Sequence, residues 1–97
     1  MKIEWHPPKA ESNLAKHGVS FAEAETVFDD DGQLILRDRW HSTAEQRFRC
    51  IGRSAQRRML LVVYTERRPD LTRIISAREA TAREEDEYER ENYFSGR

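Results

Sequence analysis

Hydrophobic residues change their spacing near Gln33: before it they recur as on one face of a helix, and after it they alternate with polar ones. Ile3 and Trp5 flank Glu4 as a short extended lead-in that ends at Pro7-Pro8. Proline in a first helical turn loses no useful donor. A helix is therefore predicted from about Pro7 to His17, with Ala10 and Leu14 inward and Gly18 as its left-handed stop. Ser20-Phe21-Ala22-Glu23 is a capping box, and Phe21, Ala24, Val27 and Phe28 fall on one buried face before the acidic turn Asp29-Asp30-Asp31-Gly32.

The second half reads as strands. Gln33 to Asp38, Glu45 to Gly52, Arg58 to Glu66 and Leu71 to Ala77 are separated by a polar loop at 39–44, a hairpin connection at 54–57 and a proline turn at 67–70. Strands joined by short turns run mostly antiparallel. A second capping box, Thr81-Ala82-Arg83-Glu84, opens a last helix through about Tyr93. The expected fold is α+β: a four-stranded antiparallel sheet plus a short N-terminal strand, two N-terminal helices and a C-terminal helix. Phe21, Val27, Phe28, Phe48, Leu61 and Val63 are its predicted core.

Composition narrows the class. The 97 residues, 37% hydrophobic and 36% charged, suit one globular domain over 1–97 with a wet surface. The longest apolar run, Met59 to Tyr64, is far short of the ~20 residues of a membrane helix, so a cytoplasmic protein is expected. The single cysteine, Cys50, forms no internal disulfide, and no Cys/His spacing resembles a zinc site. Neither metal nor cofactor is expected.

Charge adds the functional signal. Of 17 basic residues 14 are Arg, and 11 of these lie between Arg37 and Arg78 against four acids, a net of +7. Residues 1–36 and 79–97 each carry three basic and seven acidic residues, a net of −4. The guanidinium is planar, permanently charged and forks onto phosphate oxygens, so an Arg-rich strand segment points to phosphate recognition, with RNA as the first partner to consider. Alternation puts Glu45, Arg47 and Arg49 on one strand face, and Arg73, from the last strand, is read onto the same free face.

Two readings of that face compete. One is a solvated surface with weak cross-strand ion pairs. The other is a phosphate groove with an embedded carboxylate, able to cut RNA without metal: the 2′-hydroxyl attacks phosphorus, a base takes its proton and cations stabilise the phosphorane. Lys16 and His17 suit a helix C-terminus by dipole alone, while histidine as a residue type also serves as acid or base. Tyr64 reads either as a core ring with a wet hydroxyl or as a substrate-contacting phenol. His6 and His41 have weaker claims.

Longer motifs carry a family resemblance. Glu4-Trp5-x-Pro, Asn13-Leu14-x-Lys16-His17-Gly18-Val19-Ser20-Phe21-x-Glu23-Ala24, Val27-Phe28-Asp29-Asp30, Glu45-x-Arg47-Phe48, Leu61-Val62-Val63-Tyr64-Thr65-Glu66-Arg67 and Arg73-Ile74-Ile75-Ser76-Ala77-Arg78 follow one another as in BrnT-type toxins, which the chain resembles. The resemblance implies a RelE-like fold and a ribonuclease toxin of a type II toxin–antitoxin pair. It also implies a BrnA-type ribbon-helix-helix antitoxin as partner, with operator DNA bound only through the complex. It implies a site drawn from Lys16, His17, Glu45, Arg47, Arg73 and Arg78, to which the residue reading above adds Arg49 and Tyr64 as candidate substrate contacts. His6 departs from the acid expected before the proline, at a position placed outside this site. A non-catalytic nucleic-acid adaptor, or an interaction module docking through its acidic last helix, are the rival readings.

Overall fold

Local signals set the helices. Pro7 and Pro8 occupy the first turn of α1 (Pro7–His17), and Gly18 closes it at φ 69°, its N–H bonding the Leu14 carbonyl at 2.9 Å. Ser20 caps α2 (Phe21–Thr26) by accepting the Glu23 N–H at 3.0 Å, and one 3-10 turn, Val27–Asp29, follows. The capping box is only half closed. The Glu23 carboxylate turns away to Arg58 Nε at 3.0 Å and Ser54 Oγ at 2.7 Å, tying α2 to the turn between two strands. Although burial opposes its charge, the Arg58 hydrogen bond outweighs it and holds the Glu23 pKa below its usual value. At α3 (Ala82–Phe94) the box is complete: Thr81 Oγ1 accepts the Glu84 N–H at 3.2 Å, and the Glu84 carboxylate accepts the Thr81 N–H at 2.9 Å.

The computed structural model describes residues 1–38 and 45–94; the predicted loop 39–44, with His41, lies outside the described residues. The strands are β1 (Lys2–Glu4), β2 (Leu34–Asp38), β3 (Arg47–Arg53), β4 (Met59–Arg68) and β5 (Leu71–Glu79), in the order β1-β5-β4-β3-β2. β2 to β5 form an antiparallel meander, and β1 pairs parallel with β5. The α+β class and three α-helices accord with expectation, but the sheet is five-stranded and mixed. The physical reason is the connection out of β1: it runs through two helices rather than a hairpin, so β1 is free to dock on the far edge in parallel.

One sheet face meets α1 and α2. Cys50, Leu60, Val62, Tyr64, Ile74 and Ala77 pack there with Val19, Phe21, Ala24 and Val27, and Phe28 and Phe48 lie half-buried against them. Leu61 is buried and Val63 half-buried on the opposite face, in register with Ile51 and Arg49. Leu14 is a correction, because it is 50% exposed and the buried residue of α1 is Asn13. The Asn13 amide donates to the carbonyls of Val19 (3.0 Å) and Ala77 (2.8 Å), and its oxygen accepts the Ala77 N–H at 3.1 Å. Those bonds satisfy the edge of β5 beyond the short β1 and fix α1 beside it.

Candidate functional site

Cross-strand register builds the outer sheet face row by row. Asp38, Arg47, Thr65, Arg73 and Glu4 form one row through all five strands; Leu36, Arg49, Val63 and Ser76 form the next, and Leu34, Ile51, Leu61 and Arg78 the third. Simple alternation would not put Arg73 and Arg78 on one face, since they are an odd number of residues apart. A register shift between Val63 and Tyr64, which pair with Ser76 and Ile74, inserts Ile75 as an extra residue and reverses the parity of β5.

The two ends of this face differ. Over the third row lies α3, where Arg78 forks onto Glu84 at 2.8 and 2.9 Å, and the Asn92 amide donates to the Gly32 carbonyl at 2.9 Å. Tyr88 donates to Asp30 at 2.8 Å, beside the backbone N–H groups of Arg53 (2.8 Å) and Gly32 (2.9 Å). Burial works against charge on Asp30, but these three donors hold its pKa below the usual value. Glu84 behaves likewise: burial opposes ionisation, and the Arg78 fork and Thr81 outweigh it. The helix approaches so closely that a Cβ on Gly32 would stand 2.5 Å from Asn92 Oδ1 and 2.7 Å from the Tyr88 hydroxyl.

At the first row α1 runs beside the sheet and leaves a groove of two adjoining hollows. One, of about 330 Å³, is lined by His6, Lys9, Glu45, Arg47, Thr65, Arg73, Ile74 and Ile75. The other, of about 310 Å³, is lined by Lys9, Ser12, Asn13, Lys16, His17, Arg47, Ile75 and Ser76. Lys9, Arg47 and the bulged Ile75 belong to both. Glu45 is oriented by Arg67 at 2.9 Å, a half-exposed pair worth under ~1 kcal/mol. Arg73 is held by Glu4 through Nε at 2.6 Å. Thr65 donates to the Gln46 carbonyl at 2.8 Å, steadying the chain between Glu45 and Arg47.

Five of the residues singled out in the sequence therefore meet: Lys16, His17, Glu45, Arg47 and Arg73. Arg49 lies one row along, between Leu36 and Val63. Arg78 is not brought to either hollow, because its fork is committed to Glu84. Tyr64 is a correction: it faces the core, stacked on Phe48 at 5.4 Å and edge-on to Phe28 at 5.2 Å, and burial pushes its phenol up to about 12. Its parity depends on its register with Phe48, which the sequence does not display. His6, placed outside the site on sequence grounds, lines the first hollow. Lys9 was missed as a site residue, although the helical spacing Lys9, Ser12, Asn13, Lys16 was available as a signal. Among the described residues no group of three or more His, Cys, Asp or Glu side chains is arranged to hold a metal ion.

A basic groove on an α+β scaffold, walled by a helix and floored by strand arginines, defines a class of small proteins suited to binding phosphate esters. A sequence model of the family described as "Ribonuclease toxin, BrnT, of type II toxin-antitoxin system" matches residues 5–84, and the chain belongs to that family. The fold is similar to the 1.1 Å crystal structure of the Brucella abortus ribonuclease toxin BrnT, with a TM-score of 0.66 and 26% identity over 84% of this chain and 97% of that one. Among curated protein sequences none matches. Among the described residues no helix is long and apolar enough to cross a membrane.

Proposed function

We propose that this BrnT-family toxin cuts RNA in the groove between α1 and β3–β5, without a metal ion, and so arrests translation and growth from the cytoplasm. The observation that carries the reading is Arg47, which lines both hollows with Glu45 in one and His17 in the other. Arg47 and Arg73 hold the scissile phosphate, and Lys9 and Lys16 add positive charge. Glu45 and His17 share the two proton transfers: one takes the 2′-hydroxyl proton as O2′ bonds to phosphorus, and the other donates a proton to O5′ as the P–O5′ bond breaks. The products are a 2′,3′-cyclic phosphate and a 5′-hydroxyl. Guanidinium donors suit this step because they are aimed where phosphorane charge grows.

Arg78, one of the site residues that the family resemblance implied, is assigned instead to fastening α3. The partner is a BrnA-type ribbon-helix-helix antitoxin, with operator DNA bound through the complex; membership of a type II family supports the antitoxin. The test is cleavage of labelled RNA by purified toxin in excess EDTA. Cleavage that survives chelation and is lost in Glu45→Gln and His17→Ala supports the reading. Cleavage restored only by added magnesium contradicts its metal-free step, and RNA binding without cleavage makes the protein an adaptor.

A further inference from the structure

We infer that the two hollows are successive phosphate subsites of one track for single-stranded RNA, with Lys9 shared between them and Lys16 serving the second. The inference rests on the ribonuclease reading and adds to it the form of the substrate. Lys9, Ser12 and Lys16 form a stripe along α1 at helical spacing, and Asn13 on the same wall is tied to β5 by three hydrogen bonds. The wall is therefore fixed. At 1.5 Å per residue, Lys9 and Lys16 stand about 10 Å apart along the helix, and Lys9 lines both hollows while Lys16 lines only the second. Each hollow, near 300 Å³, is at the small end of the range for ligand sites, which gives it the room of one nucleotide unit. The Ile75 bulge stands between the two, with Arg73 on the first side and Ser76 on the second.

The track predicts a step in affinity with length. 2′-O-methyl oligoribonucleotides lack the attacking hydroxyl and report binding alone. Titrated with wild-type toxin, a trinucleotide with two phosphates should bind about tenfold tighter than a dinucleotide with one. Lys16→Ala should shrink that step toward unity, and Lys16→Arg should restore it. Lys9→Ala should weaken both ligands. Each lysine removed should make the salt dependence of trinucleotide binding shallower by roughly 0.7 in log–log slope. Equal affinity for the two lengths overturns the track, as does Lys16→Ala weakening both equally. RNA cleavage without the length step removes the track alone; the length step without cleavage removes the catalytic reading and leaves the track.

Discussion

Arg78 and Arg47 stand on the same sheet face, two rows apart by register, yet in different surroundings. Arg78 meets a carboxylate of its own chain on α3, held at the right reach by a completed capping box, and both prongs of its fork are used. Arg58 is similarly bound to buried Glu23. Arg47 lies between two hollows beside α1, whose linings include Lys9, Lys16, Glu45 and Arg73. An arginine-rich segment is thus two populations. Some arginines fasten helices to the sheet, and others line a groove together with Lys9 and Lys16. Composition counts them together; only the register separates them.

The largest expected contrast is in turnover. Arg47→Ala should lower RNA cleavage by a factor of 10² to 10³, on the scale of about 3 kcal/mol for a lost transition-state donor. Arg47→Lys should recover part of it, since a point charge cannot reproduce a fork. Equal turnover in all three proteins, measured at matched concentration, would erase the distinction between the two ends. Next comes the wall of the groove. Asn13→Ala strands the Ala77 N–H and two carbonyls and should cost about 2 kcal/mol in urea unfolding. A loss below half that value would mean α1 is held mainly by other contacts.

The smallest effect is at the closed end and follows pH. Glu84 has a folded pKa below its unfolded one, so the unfolded chain binds more protons in between and stability rises with pH there. The contribution is fully present above the ordinary value of 4.5 and is lost as pH falls through the lowered folded value. Because Arg78 is partly exposed, solvent screening keeps it to under ~1 kcal/mol. Glu84→Gln should therefore be less stable than the parent at pH 7, with the gap closing as pH falls below 4.5 and through the lowered folded value. A gap constant with pH would assign the loss to packing.

What the sequence displayed was local. Pro7-Pro8 and Gly18 set the bounds of α1, the two Ser/Thr boxes located the helix starts, and polar alternation around Phe48 identified β3. What it concealed depends on partners far along the chain. Asn13 bonds a strand 64 residues away, and β1 docks in parallel on β5. The Ile75 bulge sets which way Arg73 and Arg78 point, and Tyr64 falls on the core side through its register with β3. Arg47, Glu45 and His17 were legible as candidates from residue type and motif. Their convergence was not, because it needs α1 laid along the sheet, and that position is fixed by Asn13.

The central claim is that RNA enters the open end of the face and leaves the α3 end untouched. Backbone amide chemical shifts, followed while a 2′-O-methyl trinucleotide is titrated into the toxin, test it most directly. The account predicts shifts confined to Lys9, Ser12, Lys16, His17, Arg47, Thr65, Arg73 and Ser76, with Arg78, Glu84 and Tyr88 unmoved. Shifts concentrated on Arg78, Glu84 and the face of α3, with the α1 wall silent, would contradict it.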